Sequence, residues 1–311
     1  MKSACYLSVM IVGIFASLLF WHMLYRGKVS SGITNTYAEN IEELKLDKEF
    51  ITQEEIQQIG KMQSLKKLSF LINDENIDLS PLSNLTNLEE LEIQSCIGEC
   101  YGLETQPLGE LKNLKAISLM YCSFDTSFLA ELAGLEKVSI LKCDAVEGLS
   151  VFESLSELQE LYIEYVNDTD LKYLQNLTRL EKVHIVGGNV RNFEGLEDMV
   201  NMKELYLCEN GYETQTLDMN LFTRMNGLEN ITIAHISIED ISPLSEIENL
   251  KFISLIDTGV PDIQPLSNLK QLNYLDIFGN ESVQVEEQAE KYFTDVETVH
   301  ISNEIPYPFS S

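Results

Sequence analysis

Residues 78–93 read DLSPLSNLTNLEELEI, and the chain nearly repeats them twice: DISPLSEIENLKFISL at 240–255 and DIQPLSNLKQLNYLDI at 262–277. The last two copies start 22 residues apart. Their second half reduces to a template, L-x-x-L-x-I. It fits at Leu88-Leu91-Ile93, Leu114-Ile117-Leu119, Leu135-Val138-Ile140, Leu158-Leu161-Ile163 and Leu180-Val183-Ile185. It fits again at Met202-Leu205-Leu207, Leu228-Ile231-Ile233, Leu250-Ile253-Leu255 and Leu272-Leu275-Ile277. Looser copies stand at Ile41-Leu44-Leu46, Leu65-Leu68-Phe70 and Val296-Val299-Ile301. These twelve units start 24, 23, 26, 21, 23, 22, 22, 26, 22, 22 and 24 residues apart. A near-constant period in this range is the signature of a solenoid.

The last three template residues alternate apolar, polar, apolar, which is the period of a half-buried strand. The rest of each unit must carry the chain back to start the next strand beside the last. One unit cannot bury its leucines alone, whereas stacked units share a continuous core. Strands about 4.8 Å apart then build a twelve-stranded parallel sheet with an arc on the order of 50 Å. The return arms are bulkier than the strands, so the expected fold is an α/β solenoid, a horseshoe with the sheet on its concave face.

These units resemble leucine-rich repeats. The form D-[LI]-x-P-L-S-x-[LI]-x-x-L is similar to the 22-residue type of internalin-like bacterial surface proteins, and a similar type occurs in a regulatory subunit of protein phosphatase 1. The resemblance covers residues 38–305. It implies a binding function, since this fold serves recognition in many contexts. It also implies an Asn or Cys three residues after the second strand residue. That position reads Asn73, Cys96, Cys122, Cys143, Val166, Gly188, Asn210, Ile236, Thr258 and Asn280. Small polar side chains there would bond backbone in the turn leaving the strand. Val166, Gly188 and Ile236 depart from the pattern and point to a less regular middle.

The chain has 311 residues and a formal net charge of −29. The region after residue 37 holds 18 basic against 50 acidic residues. That balance argues against nucleic acid as a partner, because phosphate contacts need clustered Lys and Arg. It fits the solubility of an exposed solenoid, or a basic partner. The six cysteines do not form a disulfide framework. Buried thiols are the expectation, although strand spacing alone would also permit a Cys122–Cys143 bridge.

Residues 3–25, SACYLSVMIVGIFASLLFWHMLY, contain no Asp, Glu, Lys or Arg. As a helix, this stretch would span about 35 Å, enough to cross a bilayer. Trp21, His22 and Tyr25 followed by Arg26 and Lys28 resemble an interfacial belt. Residues 1–26 are therefore expected to be an N-terminal transmembrane anchor or signal segment, with the uncleaved anchor favoured over secretion after cleavage. Residues 27–37 read as a linker, 38–305 as the repeat domain with terminal caps, and 306–311 as a tail. Cap helices are expected near TQEEIQQIG (52–60) and from Gln284 to Phe293. The basic flanks of the apolar segment nearly balance. Likeness to surface proteins places the repeats outside the cytoplasm.

Enzyme signatures are absent from the sequence: there is no HExxH, GxSxG, GxxxxGK[ST], GxGxxG or paired CxxC. No catalytic, cofactor or metal residue is assigned. NDENID at 73–78 lacks the glycine and spacing of a calcium loop. His184, His235 and His300 read as sheet-surface histidines. The two longer units carry their extra residues near 95–108 and 209–222. These read as tolerated insertions.

The sequence does nominate a surface. The residue between the last two template positions points out of the sheet, and Tyr162, His184 and Tyr206 occupy three consecutive rows. Two residues later, the same face presents Leu71, Met120, Leu141, Val186, Cys208, Ala234, Ile256 and Phe278 in eight of twelve rows. Phe252 and Tyr274 extend the patch. Stacking of strand-favouring side chains on one another accounts for such a column as readily as recognition does. On the recognition reading, a protein or peptide binds at Tyr162, His184, Tyr206, Ile256, Phe278, Phe252, Tyr274, Leu141 and Val186. The expected function is non-catalytic, membrane-anchored and extracytoplasmic binding. The alternative is an intracellular regulatory scaffold like the phosphatase subunit.

Overall fold

The computed structural model describes residues 41–74, 76–95, 103–121, 125–143, 148–208, 216–280 and 283–305. The apolar segment, the linker and the tail expected from sequence lie outside these residues, as do Cys96, Cys122 and half of each longer loop. Among the described residues no helix is long and apolar enough to cross a membrane.

Twelve parallel strands form one sheet in strict chain order. They are β1 (Glu43–Phe50), β2 (Lys67–Ile72), β3 (Glu90–Ser95), β4 (Ala116–Met120), β5 (Lys137–Leu141) and β6 (Glu160–Asp170). Then come β7 (Lys182–Asn192), β8 (Glu204–Cys208), β9 (Asn230–Ala234), β10 (Phe252–Ile256), β11 (Tyr274–Phe278) and β12 (Thr298–Ser302). The expected register holds across the ladder, with Leu91 opposite Ile117 and Ile253 opposite Leu275. In the opening motif Leu82, Leu85, Leu88, Leu91 and Ile93 are all buried. Each fully buried leucine contributes roughly 1.5–3 kcal/mol, so the five conserve one turn of shared core between neighbouring units.

The return arms are short 3-10 turns, such as Ser80–Asn84, Ser242–Glu246 and Gln264–Asn268. Pro81, Pro243 and Pro265 sit in the first turn of each, where a missing N–H leaves no bond unmade. The leading aspartate of the motif also has a structural role. Asp78 Oδ1 accepts from the Ser80 amide at 2.8 Å, and Asp125, Asp218, Asp240 and Asp262 do the same two residues on. Each is an Asx turn that aims the chain into the 3-10 turn. A second ladder precedes the strands. Asn87, Asn113, Asn201 and Asn249 each donate to a backbone carbonyl of the preceding unit at 2.6–2.8 Å.

The polar position after the strand behaves as the resemblance implied where it is described as Cys143 and Asn280. Cys143 Sγ lies 3.5 Å from Leu119 O and 3.4 Å from Leu141 O. Asn280 Nδ2 donates to Val260 O at 2.7 Å. Asn73 differs, being exposed, and so does Thr258, whose buried hydroxyl makes no hydrogen bond among the described residues. Cys143 and Cys208 are thiols, not disulfides. The middle is less regular, as expected, but not looser. With Val166 and Gly188 in place of the polar residue, β6 and β7 run on for 11 residues each, and Val166 pairs with Gly188. Backbone pairing replaces the side-chain bond there.

Both expected cap helices are present: α1 (Gln53–Ile59) and α2 (Val283–Tyr292). Thr52 and Glu55 close a capping box at the start of α1, which buries Ile56 and Ile59 over the first repeat. Gln53 fixes α1 to the first 3-10 turn, with its amide donating to Asp78 O and accepting from Asp78 N. At the other end Gln288 of α2 receives the Ile263 amide and donates to Asp262.

Candidate functional site: the open face of the sheet

The side chains that do not enter the core form three columns on the outer sheet face. The parallel register sets them one strand spacing apart, about 4.8 Å. In the central column Tyr162, His184 and Tyr206 are aligned. The Tyr162 and His184 rings meet edge-on with centroids 4.7 Å apart, and His184 stacks on Tyr206 at 5.4 Å. His184 Nε2 lies 2.7 Å from Glu204 Oε1. The Tyr162 hydroxyl donates to Glu160 at 3.3 Å, and Lys137 Nζ sits 5.1 Å from the Tyr162 ring centroid. Glu160 also pairs with Lys137 at 2.7 Å and with Lys182 at 3.5 Å. Farther along, Phe252 and Tyr274 stack nearly parallel at 4.6 Å, and Tyr274 meets His300 edge-on at 5.7 Å. His300 Nδ1 is 2.8 Å from Asp276 Oδ1.

Burial divides the nominated residues into two groups. Tyr162, Leu141, Val186, Phe252 and Tyr274 are half-buried and present surface, while His184 lies at the boundary of burial. Tyr206, Ile256 and Phe278 are buried, at 5%, 3% and 7% exposure. With Cys208 and Ala234 they form a closed apolar cluster, against which Val186 and Ile305 pack. The alternation places this column outside the core, but its side chains are as dry as the core itself.

The electrostatics follow from that partial burial. Burial pushes the carboxyls of Glu92 and Glu164 above their ordinary value, and Asp276 up to about 6 despite its bond to His300. The His184 hydrogen bond holds Glu204 below its ordinary value. Burial pushes Glu160 up, but bonds to Lys137 and its charge, with Lys182, outweigh this and leave it low. Burial beside Glu160 and Glu204 raises the Tyr162 hydroxyl. Among the described residues no three His, Cys, Asp or Glu side chains converge to hold a metal. The arrangement offers planar rings, aliphatic edges and carboxylates on one face of the sheet.

Each described histidine has a carboxylate one unit away: His184 with Glu204, His235 with Asp257 at 3.0 Å, and His300 with Asp276. Reading for local motifs missed these partners. The signal was available in the period itself, because 20 to 24 residues along the chain is one step across the sheet.

This architecture defines the chain as a leucine-rich-repeat solenoid. Its fold is similar to that of an internalin from Listeria monocytogenes strain 4b F2365, with a TM-score of 0.64 and 21% identity over 82% of this chain and 84% of the other. It is also similar to the repeat ectodomain of the Arabidopsis thaliana receptor kinase GASSHO1/SCHENGEN3, solved in complex with Casparian strip integrity factor 2. There the TM-score is 0.52 and identity 13%, over 80% of this chain and 37% of the other. A complex of Latrophilin 3, Unc5D and the repeat protein FLRT2 gives 0.54 and 15%, over 79% and 86%. No family model matches the sequence, and no curated protein matches it.

Proposed function

We propose that the chain is a non-catalytic binding protein whose open sheet face recognises a protein or peptide. The observation that carries this reading is the pair of half-buried aromatic clusters, Tyr162–His184 and Phe252–Tyr274, held on one rigid sheet. Aromatic anchors on a preformed surface bind with little ordering cost. Tyr206, Ile256 and Phe278 lie beside these anchors on the same face of the sheet. Similar folds present protein ligands in solved complexes, which supports the reading at the level of fold. The excess of acid in the repeat region favours a basic partner.

The test uses the repeat region as bait and a Tyr162→Ala/Tyr274→Ala variant beside it. The variant should keep its far-ultraviolet circular dichroism and lose most capture of whatever partner the wild type retains. Equal capture by the folded variant would refute the surface assignment.

The apolar segment at residues 3–25, which lies outside the described residues, supports a membrane anchor, and the likeness to surface repeat proteins supports repeats on the extracytoplasmic side. Alkaline extraction of membranes should leave the full chain in the pellet. Externally added protease should digest the repeats in intact cells. Release by alkali, or protection until lysis, would overturn anchoring or orientation respectively.

A further inference from the structure

The carboxylates of the open face show how this protein neutralises charge that it partly buries. Glu160 pairs with Lys137 and Lys182, Glu204 with His184, and Asp276 with His300. Glu92 accepts from the Ser69 hydroxyl at 2.9 Å. Glu164 breaks the pattern. It is half-buried, and its carboxyl accepts from the backbone amide of Lys142. Among the described residues it belongs to no ion pair. The Lys142 ammonium sits instead 5.4 Å from the Tyr121 ring centroid. Burial therefore raises the Glu164 carboxyl more than the charge and amide of Lys142 lower it.

The surroundings of Glu164 have a definite chemistry. It stands on β6 opposite Val186 of β7, and Leu141 of β5 follows Ile140, which pairs with Ile163. Leu141, Glu164 and Val186 are thus three consecutive rows of one column, all half-buried and open to the sheet face. Tyr162 lies on the same face about 7 Å along the strand. Val186 packs against the cluster that holds Tyr206. Tyr206 is 5% exposed, and its hydroxyl has no hydrogen-bond partner among the described residues. Burial raises that hydroxyl, and the charges of Cys208 and Glu164 add to the effect. A carboxylate without a counter-ion and a buried hydroxyl without a donor therefore share one place. A buried polar group left without a partner is costly, and such an exception calls for an explanation.

We propose that Glu164, with Leu141, Val186 and the Tyr206 hydroxyl around it, is a subsite for the guanidinium of an arginine side chain. The subsite rests on the reading of the open face as a recognition surface, and the arginine belongs to the protein or peptide bound there. A guanidinium supplies what both groups lack, a positive charge for the carboxylate and an N–H for the hydroxyl oxygen. Its planar fork reaches two acceptors at once, which a lysine ammonium does less well. Leu141 and Val186 provide apolar walls for the methylene stem.

The probe is Nα-acetyl-arginine amide, and Nα-acetyl-citrulline amide is its uncharged isostere. Each is titrated into the full chain in zwitterionic detergent, and the methyl resonances of Leu141 and Val186 are followed by NMR. The arginine compound should shift both saturably, and the citrulline compound should not. Glu164→Gln keeps the size and removes the charge, so it should weaken arginine binding at least about tenfold. Glu153→Gln, at an exposed glutamate after the 3-10 turn Leu149–Phe152, should leave binding unchanged. Shifts that do not saturate, that citrulline reproduces, or that survive Glu164→Gln would overturn the subsite. Should Glu164→Gln lose its methyl dispersion, the citrulline comparison on wild type decides, because it needs no variant. The two readings fail separately. No arginine binding, with capture still lost in Tyr162→Ala/Tyr274→Ala, removes the subsite and keeps the recognition face. Saturable binding at Glu164, with capture intact in that double variant, supports the subsite and removes the aromatic anchors.

Discussion

Replacing Gly60 by Ala tests how the N-terminal cap is seated. Gly60 ends α1 with φ −58° and ψ −9°, an ordinary helical conformation that alanine prefers. By backbone preference alone, Gly60→Ala should stabilise by about 0.4–1 kcal/mol. The packing predicts the opposite. A Cβ at residue 60 would lie 2.8 Å from the Pro81 carbonyl carbon and 2.9 Å from Pro81 Cβ, with the carbonyl oxygen closer still. Pro81 cannot yield, because its ring fixes φ and it opens the 3-10 turn Ser80–Asn84. The helix must lift, which strains the Gln53–Asp78 clamp and the burial of Ile56 and Ile59. Overpacking of this kind costs about 1–3 kcal/mol. Gly134→Ala is the matched control, since its nearest non-neighbour atoms would be 3.7 Å away. Urea unfolding followed by circular dichroism should show a lower midpoint for Gly60→Ala and an equal or higher one for Gly134→Ala. Hydrogen exchange should place the loss in α1 and β2 rather than in β9–β11, because repeats couple to nearest neighbours. An unchanged midpoint and unchanged α1 protection for Gly60→Ala would refute the claim that this glycine is there for space.

Three further outcomes follow from the same geometry. Burial raises Asp276 to about 6, so the folded state holds its proton more tightly than the unfolded chain does. The contribution is fully present below the unfolded value near 3.9 and is lost as pH rises through about 6. Asp276→Asn should gain about 2 kcal/mol on wild type between pH 4.5 and 7.5 in urea midpoints; a pH-independent difference would count against it. The Asx-turn carboxylates behave in the opposite sense. Backbone and hydroxyl bonds from Ser127 and Ser242 hold Asp125 and Asp240 below their ordinary value. Their stabilisation is present above about pH 4 and is lost as pH falls through the lowered values, so replacing both by Asn should flatten the acid limb of the thermal-midpoint profile. Asn280→Ala orphans the buried Val260 carbonyl and should cost about 1–3 kcal/mol, read as a lower urea midpoint.

Much of the frame was legible in DLSPLSNLTNLEELEI. Its five inward apolar residues, the strand they surround and the proline-led return are local consequences of spacing, and all five are buried. The two cap helices were legible from composition and capping chemistry at Thr52 and Glu55. The leading aspartate carried a signal that the leucine pattern overshadowed. Asp followed two residues later by a turn amide is an Asx-turn motif, and its repetition at 125, 218, 240 and 262 marks it as structural. The carboxylate partners of the histidines were hidden because they are distant in sequence, though the period supplies the offset.

The sequence by itself determined the repeat, its register and which residue of each strand turns outward, because periodicity is a property of neighbouring positions. It could not determine which outward residues meet water. Tyr162 and Tyr206 occupy equivalent positions two units apart, yet one is half-buried and the other dry. That difference depends on what each side chain meets in the folded chain: Tyr206 belongs to an apolar cluster with Ile256 and Phe278, against which Ile305, nearly fifty residues beyond Ile256, packs. Burial is set by the whole folded chain, so only the tertiary structure divided one apolar stripe into half-buried anchors and a dry cluster.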